Sequence, residues 1–333
     1  MNIKTRNSAF YYLMILFLFM FATIRPIGLD PDSTGYQNWI VYDLYTRMGE
    51  PAFVYIVEFW KIFFVDDFLI TRLVLATFAF IHLFILHLAI KQYTDCRFQS
   101  LVLFFFLLYS ISLLTQIRIG IASAIFFWSV KDIRDRNLVV FVLKVLLAYM
   151  FHNMALLFFV FYFFGSRLFS NWVYYSIFPV GLVLWFSTNK VKIIFINHFL
   201  DYLPDFASIK IQSYLIETDQ AISTFNLWFL FVVFIYYASV YAKDRLGEGN
   251  RTYINLIGIG ILLYFSVNFM SILSIRIMNS VGLLVLILIP KLIEVYRPRL
   301  IAIIIFYSGA IIIFLNWHIR NTILSFEAFS AFY

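Results

Sequence analysis

Long apolar stretches follow one another along most of the chain, with short polar segments between them. They lie near residues 8–24, 68–90, 100–117, 119–130, 138–151, 153–165, 171–187, 225–241, 253–273, 277–293 and 300–317. A helix needs about 20 apolar residues to cross the hydrocarbon core of a bilayer, and several of these stretches are shorter. The pattern predicts an all-α fold, a polytopic transmembrane helical bundle of about 11 spans, with roughly 10–12 as the range. We find no internal repeat, so residues 1–333 are predicted to form a single integral membrane domain.

The shorter apolar stretches form pairs, and a single polar spot separates the two members of each pair. The pairs are 100–117 with 119–130, 138–151 with 153–165, and 253–273 with 277–293. We interpret each pair as a tight helical hairpin whose tip meets one face of the membrane. Arg118, His152 and Arg276 then occupy the three tips, and His318 and Arg320 end the last apolar stretch on the same face.

The composition agrees with a membrane protein and excludes several other classes. The chain is 63% hydrophobic and 13% charged, with a mean hydropathy of +0.89, whereas a soluble domain has about one quarter charged residues. Its single cysteine, Cys96, excludes a disulfide within the chain, and no spacing of Cys and His suggests a metal site. The distribution of the net charge of +7 along the chain indicates a membrane topology, so we predict no nucleic-acid partner.

The charges also predict an orientation, because short loops rich in Lys and Arg stay on the cytoplasmic side of a membrane. With the N-terminus in the cytoplasm, the short inner loops hold 14 of the 25 basic residues. Most of the 18 acidic residues then lie outside, mainly in two longer segments at about 25–67 and 188–224. In the second of these segments, apolar and aromatic residues alternate with lysines, which predicts amphipathic helices on the membrane surface.

Arg118 is the most informative of the tip residues, because it stands alone in the apolar sequence LLTQIRIGIASAIFF. An arginine at the centre of a bilayer costs about 2.5–3.5 kcal/mol on insertion scales, and a position at a hairpin tip avoids this cost. One interpretation is an anchor that extends to the lipid headgroups. The other is a cationic site on the outer face, formed together with His152 and Arg276. For His152 alone, a structural hydrogen-bonding role is the simpler alternative.

The first external segment is rich in carboxylates. It carries Asp30, Asp32, Asp43 and Glu50. The sequence predicts a helix over about 35–48, capped by Ser33 or Thr34. Pro51 suits the first turn of a following interfacial or re-entrant helix over residues 51–65. A solvated acidic loop is the alternative interpretation of this segment.

Several short motifs follow one another along the chain in a characteristic order. A D-x-D and a G-E-P sequence come after the first apolar stretch, then I-R at one tip, F-H at the next, K-x-x-x-Y in the second external segment and a final arginine. The residues concerned are Asp30, Asp32, Tyr36, Glu50, Pro51, Phe53, Arg118, Ala122, His152, Lys210, Tyr214 and Arg276. This series resembles the EpsG-like, Wzy-type O-antigen and exopolysaccharide polymerases, which join lipid-linked oligosaccharides. Two positions depart from the family pattern, Ile119 where Gln is common and Met154 where a hydroxyl residue is frequent.

The resemblance implies an extracytoplasmic glycosyltransferase in a bacterial cytoplasmic (inner) membrane. Such enzymes transfer a growing glycan from undecaprenyl diphosphate to the non-reducing end of another lipid-linked repeat unit. The expected partners are therefore donor and acceptor oligosaccharides on undecaprenyl diphosphate, the lipid bilayer and a chain-length regulator. We expect no cofactor and no metal, because the loop sequence Asp30-Pro31-Asp32 is only a weak match to a metal-dependent D-x-D site.

Each candidate residue receives a role from this chemistry. Arginines bind diphosphate oxygens in a bidentate manner better than lysines do, and a carboxylate or an imidazole can take the proton of the acceptor hydroxyl. The diphosphate-binding candidates are Arg118, Arg276, Arg320 and Lys210. The candidate catalytic residues are His152, Asp32 and Glu50. The sugar-binding candidates are Asp30, Tyr36 and Tyr214, with Trp39 and Tyr42 as further stacking surfaces.

Two other functions compete with this one. An O-antigen ligase performs the same chemistry on a lipid A core acceptor, but the acidic first segment that ends in Glu50-Pro51 favours the polymerase. A lipid-linked oligosaccharide flippase or other transporter belongs to a different class and should carry charges in the middle of its spans. Here the polar groups gather on one face instead.

Overall fold

The computed structural model describes residues 3–47, 50–165, 167, 169–187 and 225–320, and these residues form helices and turns with no strand among them. The N-terminal part contains α1 (Ile3–Ile24), α2 (Ser33–Val41), α3 (Pro51–Phe63), α4 (Asp67–Tyr93), α5 (Arg97–Leu107), α6 (Ile117–Arg134), α7 (Leu138–Phe151), α8 (Phe159–Phe164) and α9 (Asn171–Phe186). The C-terminal part contains α10 (Leu227–Tyr241), α11 (Arg251–Ser266), α12 (Ser271–Gly282), α13 (Val285–Val295) and α14 (Arg299–Leu315). Shorter helical pieces lie at Leu44–Arg47, Tyr109–Thr115, Asn153–Phe158, Lys243–Leu246, Glu248–Asn250 and Asn316–Arg320.

Several of these helices have the length and composition of membrane spans. Among the described helices, α4 and the unit Arg299–Ile319 are long and apolar enough to cross a membrane, and the number rises to four if two bent pairs each form one span. The bent pairs are α5 with Tyr109–Thr115, at 74°, and α12 with α13, at 49°. The prediction of an all-helical fold is thus confirmed for the described residues, and helices of membrane-spanning length and composition are present among them. The total of about 11 spans stays a prediction.

α6 lies among other helices and packs against α4, α7 and α12. Most of its side chains are buried and it carries no charged residue between Arg118 and Lys131, as is typical of a helix that others enclose. Small residues near its start, Gly120 and Ser123 among them, let neighbouring helices approach closely. The Ser123 hydroxyl shares a hydrogen bond of 2.7 Å with the Ser280 hydroxyl of α12. These contacts fix the position of α6 and of the residues at its N-terminal end.

Helices begin or end at two of the three predicted hairpin tips. α6 begins at Ile117, so Arg118 lies in its first turn, and α7 ends directly before His152. The prediction that Arg276 lies at a tip is wrong, because Arg276 lies inside α12 and the turn falls at residues 267–270. The physical reason is local: Arg and Met are good helix formers, whereas the Asn at position 268 favours a turn.

The first external segment contains a shorter helix than the sequence predicts. α2 ends at Val41, well before the predicted end of the 35–48 helix, and Asp43 adopts a φ of 51°. This left-handed conformation is open to Asp but cannot continue an α-helix. α3 begins at Pro51, as predicted, and exposes Tyr55 and Phe63 on its outer face. An amphipathic helix of this kind suits a membrane interface.

Polar contacts also join the helices at the opposite end of α6. Tyr93 donates a hydrogen bond of 2.8 Å to the Trp128 carbonyl oxygen and accepts one of 2.8 Å from the Lys131 backbone N–H. Asp132 forms an ion pair of 2.6 Å with Lys144 of α7. A helix rises about 1.5 Å per residue, so this charged pair lies about 20 Å from the start of α6.

Gly120 lies where α6 passes the π-helical segment Tyr109–Thr115. A Cβ atom at Gly120 would overlap the backbone carbonyl oxygen of Ser112 and would lie 3.0 Å from His82 Cε1. We expect Gly120→Ala to displace α6 and to lower the free energy of unfolding by about 1–3 kcal/mol, the usual range for an overpacked interior. Thermal unfolding of the purified protein in detergent measures this change. Gly249→Ala is the control, because a Cβ at Gly249 meets nothing within 4 Å. Equal melting temperatures of the two variants would contradict the prediction.

Candidate active site

A buried arginine holds the turn that follows α1. The Arg25 Nε atom donates to Asp30 Oδ2 at 3.0 Å, and the two side chains are only 1% and 0% exposed. Its Nη1 atom donates to the Ala22 carbonyl oxygen, and its Nη2 atom donates to the Leu114 carbonyl oxygen at 2.7 Å. Because Leu114 lies just before α6, Arg25 fastens the end of α1 to the start of α6. A buried guanidinium is stable only with such partners.

The other oxygen of Asp30 shapes the start of α2. Asp30 Oδ1 accepts hydrogen bonds from the backbone N–H groups of Asp32 and Ser33, at 3.2 and 3.0 Å. The Ser33 hydroxyl accepts from the Gly28 N–H at 2.8 Å, so it does not cap α2 as predicted. The N-cap position is Asp32, whose side chain makes no capping hydrogen bond. The Asp32 carboxylate is therefore not committed to the end of the helix.

Glu50 and Arg118 form the central ion pair of the site. Glu50 directly precedes α3, its side chain has 0% exposure, and its Oε2 atom accepts a hydrogen bond from Arg118 Nη1. Arg118 remains 16% exposed. Its Nε atom is buried and has no hydrogen-bond partner in the part of the chain that the structure describes. Glu50 thus fixes one side of the guanidinium, while the exposed part of the side chain leaves it open to a further acceptor.

Two aromatic rings of α2 lie against the same guanidinium. Arg118 Cζ lies 5.6 Å from the centroid of the Tyr36 ring and 5.0 Å from that of Trp39, within the range of cation–π contacts. Burial raises the pKa of Tyr36 to about 12, so its phenol stays neutral beside the Arg118 cation. Tyr36 is itself fixed against Phe53 of α3, with ring centroids 5.7 Å apart. Tyr36 is buried and supports Arg118. Trp39 is half-buried, so part of its ring is accessible at the surface of the site.

His152 lies on the other side of the Glu50 carboxylate. Its Nε2 atom is 3.8 Å from Glu50 Oε1, and its Nδ1 atom accepts the Met154 backbone N–H at 3.1 Å. An accepting Nδ1 places the proton of the neutral imidazole on Nε2, which faces Glu50. The carboxylate therefore lies between a guanidinium and an imidazole N–H, and both stabilise its negative charge.

Asp32 is the carboxylate of the site whose charge is least well compensated. Burial and the neighbouring Asp30 raise the pKa of Asp32 above its ordinary value of 3.8, and the Arg276 and Arg118 cations oppose this rise only in part. Asp32 is half-buried, so it is open to a reactant. Arg276 belongs to α12, and the site therefore combines the first external segment with helices from both halves of the chain. A partly exposed carboxylate with a raised pKa suits proton transfer.

The structure brings most of the predicted residues to this one place. Those that meet here are Asp30, Asp32, Tyr36, Trp39, Glu50, Arg118, His152 and Arg276. Asp30 and Tyr36 are buried and contact other residues of the chain: Asp30 pairs with Arg25, and Tyr36 packs against Phe53 and Arg118. Tyr42 is 68% exposed beyond the end of α2. Lys210 and Tyr214 lie outside the described residues, as does the side chain of Arg320, and their roles stay predictions.

Arg25 is the residue of this site that the sequence analysis missed. A cation at the end of an apolar stretch is common, because it meets the lipid headgroups there. The only signal was its spacing, since Arg25 lies five residues before Asp30 and is separated from it by a proline turn. The contact with Leu114 joins positions 89 residues apart and has no local signature.

The arrangement can bind an anion and accept a proton. Arg118 and Arg276 supply cationic hydrogen-bond donors, the first turn of α6 adds backbone N–H groups, and Asp32 supplies the acceptor for a proton. Within the described ranges, no group of three or more His, Cys, Asp and Glu side chains is arranged to hold a metal ion.

Comparison with known proteins gives one match. A family model described as the EpsG family matches residues 8–330, nearly the whole chain. No curated protein and no solved structure matches the chain.

The buried pair of Arg25 and Asp30 gives a test of how the site is held. Asp30→Ala leaves an uncompensated guanidinium in the interior, and we expect the free energy of unfolding to fall by about 3–5 kcal/mol. Thermal unfolding in detergent measures the loss. The matched control is Asp135→Ala, because Asp135 pairs with Arg134 at the surface, where such a pair contributes little. If both variants melt at the same temperature, the buried pair is not what holds this turn.

Proposed function

Because the chain belongs to the EpsG family, a family of Wzy-type polysaccharide polymerases, we propose that it joins repeat units linked to undecaprenyl diphosphate by glycosyl transfer. The bond between the sugar C1 atom and the diphosphate oxygen breaks, and a new bond forms between C1 and an acceptor hydroxyl oxygen. The acceptor proton passes to a base, and the lipid diphosphate leaves. The growing glycan is thereby extended by one lipid-linked unit.

The observation that carries this proposal is the state of Arg118. Its guanidinium is fixed by Glu50 and two aromatic rings, yet it remains 16% exposed and keeps a donor without a partner among the described residues. Such a group is already oriented for a second acceptor, so little reorganisation is needed when an anion arrives. The diphosphate of a lipid carrier is an anion that lies at the membrane surface. We assign the diphosphate to Arg118 and Arg276, with Arg320 and Lys210 as further candidates.

The leaving group determines what else the protein must do. A diphosphate leaves readily once its developing negative charge is stabilised, and two arginines at one site supply that stabilisation. The backbone N–H groups in the first turn of α6 add to it. The first requirement of the reaction is therefore met by positioned cations, and the second is a base for the acceptor hydroxyl.

We assign the base to Asp32. The Glu50 side chain has no exposure, and its carboxylate already pairs with Arg118 and lies beside His152. Asp32 is half-buried and its pKa is already raised. A bound diphosphate raises that pKa further through like-charge repulsion, which makes the carboxylate a better proton acceptor once the donor is in place. His152 then acts on the reaction through Glu50, by holding its carboxylate against Arg118.

The site also offers a surface for a sugar ring. Trp39 is half-buried beside Arg118, and its ring is held edge-on by Tyr36 at a centroid distance of 5.2 Å. We assign sugar stacking to Trp39, while Asp30 and Tyr36 position the residues that make contact. The active end of the bundle then faces the extracytoplasmic side of the bacterial cytoplasmic membrane, where the orientation inferred from the basic loops places it.

Substitution of Arg118 tests the proposal in cells that lack the native gene. Arg118→Lys keeps the positive charge but loses the planar fork, and we expect the transfer rate to fall about 10- to 100-fold, the loss of one charge-assisted hydrogen bond. Gel analysis of surface glycans should then show single repeat units in place of long chains. Arg299→Lys, an exposed arginine of α14, is the control and should give normal chains. Normal chain length with both Arg118→Lys and Arg276→Lys would remove the basis of the anion site.

Removal of the Asp32 charge should lower activity and raise stability. We expect Asp32→Asn to abolish long chains, because the base is lost. At neutral pH the same variant should melt at a higher temperature than the wild type. A carboxyl whose folded pKa is raised binds protons more tightly in the folded state, so its charge lowers stability as pH rises above the ordinary value of 3.8. The gain should therefore shrink as the pH is lowered toward that value.

Asp43→Asn is the control for this test. A hydrogen bond from Lys61 lowers the pKa of Asp43, so removal of its charge should give no gain in melting temperature at neutral pH. The two variants are compared by thermal unfolding across a pH series, together with the glycan size profile. Normal polymerisation by Asp32→Asn would show that Asp32 is not the base.

A further inference from the structure

A second group of polar side chains lies one helical turn beyond Arg276. Asn279 of α12 is 6% exposed, and both polar atoms of its side-chain amide are buried without a hydrogen-bond partner in the described part of the chain. Buried amides in folded proteins are nearly always hydrogen-bonded. In this protein, Asn255 follows that rule: it accepts from the Tyr174 hydroxyl at 2.8 Å and donates to the carbonyl oxygens of Gly165 and Arg167, at 3.0 and 2.7 Å.

The indole of Trp228 reaches the same side of α12 from α10. A Cβ atom at Gly282 would overlap Cζ2 of Trp228 and would lie 3.3 Å from its Cε2, so this edge of the ring lies directly against α12. Cε2 is bonded to Nε1, and the Trp228 Nε1 atom is buried without a hydrogen-bond partner among the described residues. Gly282 is three residues after Asn279, so the two positions are neighbours on one helix face. Asn279 and the Trp228 indole therefore lie on the same face of α12, and each carries a buried polar group without a partner among the described residues.

The chemistry of this pair fits a carbohydrate. The Asn279 amide can donate and accept, and the Trp228 indole can donate. Neighbouring hydroxyls of a sugar, or a hydroxyl beside an acetamido group, offer the complementary donors and acceptors. Trp317 packs against Trp228, with ring centroids 6.0 Å apart, and helps to hold the indole in place.

The distance from Arg276 identifies which sugar would bind. Residues three apart on a helix have Cβ atoms about 5–6 Å apart. A sugar bonded to a diphosphate is joined to it through one oxygen, so its ring lies within such a distance of the phosphate. We propose that Asn279 and Trp228 bind the sugar that is directly attached to the diphosphate of the donor. This inference rests on the proposed function, in which Arg276 binds that diphosphate.

Two probes separate recognition of the sugar from recognition of the diphosphate. One is bare undecaprenyl diphosphate, and the other is the lipid-linked repeat unit extracted from cells that lack the polymerase gene. Binding of each probe to the full-length protein in nanodiscs is measured for the wild type, Asn279→Leu, Trp228→Phe and Arg276→Gln. We expect Asn279→Leu to weaken binding of the glycosylated probe about tenfold and to leave the bare diphosphate unaffected, because only the sugar contacts are lost. Arg276→Gln should weaken both.

Stability distinguishes this role from a structural one. Asn279→Leu replaces an unsatisfied amide by an apolar side chain with the same number and branching of heavy atoms, so its melting temperature should equal or exceed that of the wild type. Asn255→Ala is the matched control: it should lower the melting temperature, because it removes a satisfied buried amide, and leave the ratio of the two affinities unchanged. Trp228→Phe keeps an aromatic ring but lacks the N–H, and it should reduce only the binding of the glycosylated probe.

Each outcome bears on one of the two proposals. If Asn279→Leu and Trp228→Phe bind the glycosylated probe as the wild type does, or weaken both probes alike, the sugar subsite is refuted while the diphosphate site stands. If the wild type binds neither probe, the proposed function itself fails and the subsite fails with it. A selective loss for the glycosylated probe supports the subsite.

Discussion

The rest of this site depends on one constraint, that a buried guanidinium needs a buried carboxylate beside it. Arg25 has Asp30 and Arg118 has Glu50, and neither carboxylate has any exposure. Both carboxylates come from the segment between α1 and α3, so pairing the two arginines folds that segment onto the start of α6. Asp32 lies between the two carboxylates in the sequence and reaches the cations with them. The position of the proposed base therefore follows from the electrostatic needs of two arginines.

The two pairs differ in what they leave available. Arg25 donates from Nε and from both Nη atoms to acceptors of the same chain, and it is almost fully buried. Arg118 keeps some exposure and one nitrogen without a partner among the described residues, which suits a cation that meets a ligand. Asp32 complements it, because a carboxylate with incompletely compensated charge lowers stability but accepts protons more readily. Arg25 and Asp30 thus hold the site rigidly, whereas Arg118 and Asp32 are the residues available for a reactant.

Local features of the sequence predict the helical membrane fold. They also predict that helices begin or end next to Arg118 and His152. A polar residue in an apolar run must lie at an interface or against a partner. Both residues lie at a helix end and have a partner there, because each lies beside the Glu50 carboxylate. Arg276 lies inside α12, because a polar residue does not end a helix when other parts of the chain supply its partners. Contacts between distant segments, such as Arg25 with the Leu114 carbonyl oxygen, leave no periodic pattern to find. The pairing of Glu50 with Arg118 is of this kind too, which is why the sequence presented Glu50 as a rival base.

The distribution of buried charge favours the proposed transferase over a transporter. Among the residues that the structure describes, the buried Asp, Glu, Lys and Arg side chains are Arg25, Asp30, Glu50 and Asp132. The first three lie at the start of α6, and Asp132 lies near its far end, paired with Lys144. Between Arg118 and Lys131, α6 carries no charged residue. A path that moves a diphosphate through the bundle needs polar partners along its length. Cations gathered at one level instead suit chemistry on a lipid diphosphate that stays at the membrane surface while its glycan is transferred.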